Sequence, residues 1–138
     1  MKFMIACLGV AGLVGCGPKP APKSMLGAWI APSYRMVITE TGFLYVGERP
    51  IDMWKVFRYR YHEGTMEIGA LGEEGEFGGY TSTHTLNFFE TKGSLQMTPA
   101  IDNTSESWSR AKVTVDFSKQ APWRYHFLDD DPATKLKL

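Results

Sequence analysis

The 138-residue sequence is poor in cysteine, in net charge and in long apolar runs. It has only two cysteines, and its 15 basic side chains balance its 15 acidic ones. A balanced charge argues against nucleic acid as a partner, because binding a polyanion requires a basic surface. The apolar run over residues 3–14 is shorter than the ~20 residues that a membrane-spanning helix needs. A transmembrane anchor is therefore not expected.

Motifs for metal binding and for catalysis are also missing. The three histidines, His62, His84 and His126, show neither the His-x-His nor the His-Glu-x-x-His spacing of metal sites. The acidic residues in 72–76 and 129–131 lack the Asp-x-Asp-x-Asp-Gly spacing of a calcium loop, which indicates solvated charge. No Gly-x-Ser-x-Gly nucleophile elbow and no Walker phosphate loop occurs. We therefore predict a protein that is not an enzyme and that uses no metal or cofactor.

The N-terminal segment has the layout of an export signal. Lys2 supplies a positive charge, residues 3–14 are apolar, and the segment ends in Leu13-Val14-Gly15-Cys16. These four residues resemble the lipobox of bacterial lipoproteins, in which a diacylglycerol is attached to the cysteine thiol, the preceding peptide is cleaved, and the new amine is acylated. The resemblance implies that residues 1–15 are removed and that Cys16 carries the lipid. An ordinary secretory signal with a coincidental cysteine is the alternative.

The lipobox resemblance has consequences for location and for disulfides. At least two acyl chains on Cys16 would anchor the protein durably in a membrane, because one chain alone gives only marginal binding. Gly17, and not an aspartate, follows Cys16, which in lipoproteins of diderm bacteria implies the outer membrane and a periplasm-facing domain. Since Cys7 would leave with the signal peptide, Cys16 would be the only cysteine, and no disulfide within the chain could form.

Residues 17–24 read Gly-Pro-Lys-Pro-Ala-Pro-Lys-Ser and predict a tether. Alternating prolines favour the polyproline II form at ~3.1 Å per residue, so this segment is expected to hold the domain about 25 Å from the bilayer, outside the core. We therefore divide the chain into a signal peptide (1–15), the lipidated cysteine and tether (16–25), one domain (26–131) and a C-terminal tail (132–138).

Beyond residue 25, turn signals separate short segments that are rich in β-branched and aromatic residues. Three Gly-containing connections, at residues 40–42, 62–64 and 90–93, each join two such segments as a hairpin turn would. Apolar and polar residues alternate over 108–117 and 123–127, which is the period of a sheet. We predict an all-β fold, an antiparallel meander of about eight strands that closes into a small barrel, because closure removes the exposed edges. A two-layer β-sandwich is the alternative.

The head of the meander, Leu26-Gly27-Ala28-Trp29, resembles the Gly-x-Trp motif of the lipocalin-like (calycin) families. In these families the Trp plugs the closed end of the barrel, and an Arg from a late strand packs across it. The resemblance gives Trp29 this place, with Arg124, or less favourably Arg110, as its partner. The chain is shorter than full lipocalins and lacks their inter-strand disulfide, which argues against a roomy cavity.

The longest predicted strand, residues 53–61, has an aromatic face and a charged face. Phe57, Tyr59 and Tyr61 lie on the aromatic face, whereas Trp54 falls on the charged one. Either a β-bulge flips the register between them or both faces are partly covered. The aromatic row is expected to pack in the core or to line an apolar pocket, and the charged row to be solvated or to bind an anion. The charged row consists of Arg58, Arg60 and His62.

Two functional classes fit this sequence. We predict a membrane-anchored, non-catalytic module that binds a small apolar or amphipathic ligand. Its candidate lining residues are Trp54, Phe57, Tyr59, Tyr61 and Phe88. The alternative is a structural or interaction protein that contacts another envelope protein and has no internal ligand. Small β-barrel lipoproteins of bacteria include lysozyme inhibitors of this kind, but their Ser-Gly-x-x-Tyr motif and disulfide are missing here. A solvent-filled interior would favour ligand binding, and a filled barrel with an exposed apolar patch would favour interaction.

Overall fold

The computed structural model describes residues 19–130, which form a closed eight-stranded antiparallel barrel and a separate two-stranded hairpin. Each barrel strand pairs with the next along the chain, and β1 pairs with β8 to close the barrel. The barrel strands are β1 (Gly27–Ile30), β2 (Tyr34–Ile38), β3 (Phe43–Glu48), β4 (Lys55–His62), β5 (Thr65–Ala70), β6 (Ser82–Phe89), β7 (Ser94–Thr98) and β8 (Ser107–Arg110). The hairpin consists of β9 (Val113–Val115) and β10 (Tyr125–Phe127).

This architecture confirms the predicted all-β meander and its closure, and it is consistent with a lipocalin-like barrel. The three predicted turns connect β2 to β3, β4 to β5 and β6 to β7. Gly42 and Gly64 have φ angles of 87° and 86°, a region that glycine adopts without the steric cost of a Cβ. The two-layer sandwich is therefore not the fold of this chain.

The interior of the barrel is filled by side chains. The largest of them, each at most 1% exposed, are Trp29, Trp108, Tyr59, Met36, Met66 and Met97. An eight-stranded barrel is only wide enough for its own side chains or for one small ligand. Here the inward-facing side chains of all eight strands take that space. The barrel therefore has a packed core and is not an open cup.

Residues 19–26 close one end of the barrel, which we call the closed end. They include a one-turn 3₁₀ helix, Lys23–Met25, and they bury Ala21 and Met25 in the core. The backbone N–H of Ala21 donates to Tyr59 Oη (3.0 Å), and the Lys19 carbonyl accepts from the N–H of Tyr61 (2.9 Å). The prediction that the proline-rich segment is a tether outside the core is therefore wrong for its described part. The signal peptide, Cys16 and the tail at 132–138 lie outside the described residues.

The predicted strand over 108–117 is two strands in different sheets. The last backbone hydrogen bond to a barrel strand after β8 runs from the N–H of Ala111 to the carbonyl of Ala28 (3.0 Å). Because β8 already lies between β7 and β1, the chain beyond it finds no free barrel edge, and β9 pairs with β10 instead. This hairpin buries Phe127 against outward-facing side chains of β1 and β2, including Ala28 and Val37. A second, smaller core thus lies outside the barrel.

Strand β4 is continuous, because its pairing with β3 and β5 runs without an interruption. Its outer face is instead covered: the ring of Trp54, just before β4, lies 6.0 Å from that of Phe127, and Arg58 stacks 4.7 Å from the ring centre of Phe77. Arg60 pairs with Glu67 at 2.6 Å. Both faces of the strand are therefore partly covered, and Arg58 and Arg60 of the charged row contact partners within the protein.

Candidate ligand-binding cleft

A cleft of about 600 Å³ lies at the end of the barrel opposite the closed end, which we call the open end. The N-terminal segment and the three tight turns lie at the closed end. The other four connections between barrel strands therefore lie at the open end. The cleft is bounded by two of these connections, the β3–β4 loop (49–54) and the β7–β8 loop (99–106). Its position follows from the meander, in which alternate connections meet at the same end.

The floor of the cleft is apolar and rigid. It is formed by the side chains of Val46, Phe57 and Ile101, which are 6%, 4% and 2% exposed and belong to the main core. Val46 and Phe57 point inward because successive side chains of a strand alternate between the two faces of the sheet. The cleft therefore lies directly above the core side chains nearest the open end.

The β3–β4 loop supplies apolar walls that are exposed to solvent. Ile51 is 47% exposed and Met53 is 72% exposed, and both line the cleft together with Trp54. Tyr34 completes the apolar lining from the start of β2. Exposed large apolar side chains that gather at one cleft are a common mark of a binding surface.

The β3–β4 loop is held in place by a buried arginine. Arg35 is 7% exposed, and its Nη2 donates to the carbonyl of Ile51. Its guanidinium lies 4.7 Å from the ring centre of Trp54 and 5.2 Å from that of Phe127. Burial lowers the pKa of Arg35 from its ordinary value, and the charge of Asp130 opposes this shift. Arg35 therefore connects the wall of the cleft to the hairpin outside the barrel.

Asp130 is a charged residue whose place the sequence did not indicate. Its side chain is 7% exposed, and its Oδ1 accepts from Arg49 Nε at 2.8 Å. Arg49 also donates from Nη1 to the carbonyl of Ala31 (2.9 Å). The prediction of solvated charge over 129–131 is therefore wrong for Asp130, which ties the end of the hairpin to the β3–β4 loop.

The rim of the cleft is polar. Lys55 and Asp102 form an ion pair at 3.0 Å, and both side chains are more than half exposed (60% and 57%). Lys55 stands at the start of β4 and Asp102 in the β7–β8 loop, so this pair joins the two walls. Glu48, at the end of β3, also lines the cleft, as do Asn103 and Thr104.

Only two of the five predicted lining residues, Trp54 and Phe57, line the cleft. Tyr59 is fully buried, and its hydroxyl donates to the carbonyl of Thr39 at 2.5 Å. Tyr61 is half-buried at the closed end, where Phe88 packs edge-to-face on Trp29 with 6.1 Å between ring centres. Side chains two positions apart on a strand are about 6.6 Å apart, so an aromatic row along β4 runs the height of the barrel. The five residues therefore cannot form one site.

Trp29 lies at the closed end, and its arginine partner is Arg110. The Arg110 guanidinium stacks 3.9 Å from the centre of the Trp29 ring system. Arg124, which the sequence favoured, lies instead over Phe117 at 5.7 Å. The choice of Arg124 is wrong because Arg110 ends β8, the strand that pairs with β1 opposite Trp29, whereas Arg124 lies in the hairpin outside the barrel.

Sequence reasoning missed the residues that shape the cleft, above all Ile51, Met53 and Arg35. A weak signal was present, because Arg49-Pro50 interrupts the β pattern just before Ile51 and Met53. Apolar residues beside such a break are candidates for an exposed loop. The sequence pattern instead places Met53 at the start of the long strand, but in the structure that strand begins at Lys55.

The histidines are not gathered into a site. His84 is 3% exposed, with Nδ1 2.6 Å from the carbonyl oxygen of Pro99 and Nε2 2.8 Å from Ser82 Oγ. His62 is exposed, and its Nε2 lies 3.5 Å from Glu63. Over residues 19–130 no group of three or more His, Cys, Asp or Glu side chains could hold a metal ion.

The β9–β10 hairpin carries a second exposed apolar feature. Phe117 and Trp123 are 80% and 54% exposed, and both lie in the connection between the two strands. A groove of about 550 Å³ runs between the hairpin and the β3–β4 loop, with Arg35, Asp130 and Trp123 among its lining residues. Its lining is more charged than that of the cleft.

No family model matches this chain, and no curated protein or solved structure is significantly similar to it. In the described part of the chain, no helix has the length and apolar character needed to cross a bilayer.

Proposed function

We propose that this protein is a non-catalytic binding module whose open-end cleft takes a small apolar or amphipathic ligand. The observation that carries this proposal is the exposure of Ile51 and Met53 above an apolar floor in a cleft of about 600 Å³. Small-molecule sites typically enclose ~300–1,000 Å³. Complete burial of such a side chain contributes about 1.5–3 kcal/mol, and a ligand that covers the exposed part of Ile51 or Met53 contributes the corresponding fraction.

The ligand would lie on top of the barrel and not inside it. The interior is occupied by the protein's own side chains, so the cleft loops, not the barrel lumen, provide the binding surface. The packed core then acts as a rigid base, which lowers the entropic cost of ordering the site. This arrangement suits one hydrocarbon segment or ring system with a polar group at the rim.

We further propose that Cys16 carries the lipid, that residues 1–15 are removed, and that the domain faces the periplasm from the outer membrane. The support is the sequence itself, in which a positive start, an apolar run and Leu13-Val14-Gly15-Cys16 occur in the order that lipoproteins have. The membrane would then be a partner through the lipid on Cys16, independently of the cleft.

The binding proposal is tested with a neutral fluorescent probe, N-phenyl-1-naphthylamine. The unaltered chain should give a saturable increase in fluorescence, and Met53→Ser should weaken this binding about five- to tenfold, because an apolar wall is lost. Phe117→Ser is the matched control, since Phe117 is at least as exposed as Met53 (80% against 72%) but does not line the cleft. Absence of saturable binding, or equal weakening by both substitutions, would contradict the proposal.

A second function, contact with another envelope protein, is favoured by the exposure of Phe117 and Trp123 on the hairpin. Aromatic side chains are common anchors of protein interfaces. This function predicts that Phe117→Ser and Trp123→Ser reduce crosslinking to a partner while Met53→Ser has no effect. The same three variants thus separate the two candidate functions.

A further inference from the structure

The charges at the rim of the cleft are not equivalent. Three charged side chains line the cleft: Glu48, Lys55 and Asp102. Lys55 Nζ lies 3.0 Å from Asp102 Oδ2 and 5.4 Å from the ring centre of Phe57, so its charge faces both a carboxylate and an aromatic ring. Lys55 and Asp102 therefore neutralise each other across the cleft.

Glu48 has no such partner. It shares strand parity with Leu44 and Val46, whose side chains point into the barrel, and it is the last residue of β3. Within residues 19–130 no group forms a hydrogen bond or an ion pair with its carboxylate. A solvated negative charge thus stands beside the apolar floor at Val46, where the inward row of β3 reaches the rim.

From this arrangement we infer that the cleft selects an amphiphile with a cationic head group, an inference that rests on the proposed function. A cation beside Glu48 gains an ion pair and breaks no existing contact. An anion must either lie near two carboxylates or displace Asp102 from Lys55, which leaves Asp102 unpaired. Complementary charge chiefly sets selectivity in this way, while the apolar floor supplies most of the affinity.

The ligand class follows from both parts of the site. The apolar segment, an alkyl chain or a ring, covers Val46, Phe57 and Ile101, and its other side contacts Ile51 and Met53. The head group, an alkylammonium or a quaternary ammonium, lies at the rim next to Glu48. A single-chain amphiphile fits this order, because its charge lies at one end of its apolar part.

The test compares three probes with the same eight-carbon chain: octyltrimethylammonium, octyl sulfate and octyl glucoside. Binding to the full chain is measured by isothermal titration calorimetry at low salt, below the micelle concentration of each probe. The cation should bind most tightly of the three probes. Glu48→Gln should weaken binding of the cation about three- to fivefold, which is the scale of an exposed ion pair, and should change binding of octyl glucoside less than about twofold. Asp102→Asn, which removes the ion-pair partner of Lys55, should strengthen the binding of octyl sulfate by a similar factor.

Glu73→Gln is the matched control, because Glu73 is exposed in the β5–β6 loop and does not line the cleft. Any probe that binds outside the cleft does so to the same extent in every variant. Differences in affinity between variants therefore measure binding in the cleft. Equal affinity for the three head groups, or a preference for the cation that Glu48→Gln leaves unchanged, would overturn the inference. The proposed function would still stand in that case if Met53→Ser weakened binding of the probes. Absence of Met53-dependent binding for every probe would overturn the proposed function itself.

Discussion

Arg110 connects three parts of the closed end through one guanidinium. It stacks on Trp29, its Nη1 donates to the carbonyl of Leu26 (2.7 Å), and its Nη2 donates to the carbonyl of Ser24. The indole Nε1 of Trp29 donates in turn to the carbonyl of Met25 (3.0 Å). The carbonyls of residues 24–26 therefore all accept hydrogen bonds from the two side chains that close the barrel.

Replacing Arg110 by Ala should lower the free energy of unfolding by about 2–3 kcal/mol, because a cation–π contact and two charge-assisted hydrogen bonds are lost. Arg124→Ala should change it by less than about 0.5 kcal/mol, since Arg124 covers only the exposed ring of Phe117 and donates from Nε to the carbonyl of Lys119 (3.0 Å). Urea denaturation of both variants measures the difference. Equal losses would show that the stacking on Trp29 does not stabilise the fold.

This pair of arginines also shows what a sequence conveys at the scale of the residue. Trp29 could be placed because its motif is local, whereas its partner depends on which late strand closes the barrel. The alternation at 123–127 looks like a last barrel strand, but β8 has already closed the sheet by then. Strand closure joins residues about 80 positions apart (Ser109 with Ile30), and no local pattern encodes it.

At the scale of the element, tight turns and long loops differ in how far they can be predicted. The turns at 40–42, 62–64 and 90–93 depend on nearby glycines, and all three were predicted correctly. The β3–β4 and β7–β8 loops depend instead on distant contacts, such as Arg35 with Ile51 and the burial of Ile101. These loops supply the walls of the cleft, which is why Ile51, Met53 and Ile101 were missed, whereas Phe57 and the neighbouring Trp54 belong to the aromatic pattern of the β4 segment and were predicted.

Gly47 allows the β3–β4 loop to pack closely on its own strand. A Cβ at this position would lie 2.4 Å from the carbonyl oxygen of Met53 and 3.4 Å from the ring of Trp54. Gly69 plays the same part for the β5–β6 loop, where a Cβ would lie 2.1 Å from the carbonyl oxygen of Gly79. The two glycines are therefore a matched pair, of which only Gly47 lies at the cleft.

Gly47→Ala and Gly69→Ala should each lower the free energy of unfolding by about 1–3 kcal/mol, because the added methyl group forces backbone to move. Only Gly47→Ala should also weaken binding of N-phenyl-1-naphthylamine, since it displaces Met53. Urea denaturation and probe titration on both variants give the two readouts. If Gly69→Ala weakened binding as much, the effect would reflect general loosening of the barrel, and the assignment of the site to the cleft would fail.

At the scale of the whole molecule, the position of Lys19 limits how far the closed end can lie from a lipid on Cys16. Lys19, at the closed end, is bonded through its carbonyl to Tyr61, and only Gly17 and Pro18 separate it from Cys16. Three residues of fully extended chain span at most about 11 Å. If Cys16 carries the lipid, the closed end must stay near the bilayer, and the cleft then opens away from the membrane into the surrounding space.

This orientation predicts unequal energy transfer from two labelled positions to a dye in the lipid. Cysteines introduced as Glu40→Cys, in the β2–β3 turn at the closed end, and Met53→Cys, at the open end, are separated by roughly 15–20 Å of barrel. In lipidated protein on vesicles, transfer from position 40 should exceed transfer from position 53. Cys16→Ala, as the control, should leave the precursor unprocessed and without stable lipid anchoring, as measured by intact mass and detergent partition. Equal transfer from both positions would overturn the orientation, whereas normal processing of Cys16→Ala would overturn the lipid attachment, so the orientation and the attachment are tested by separate measurements.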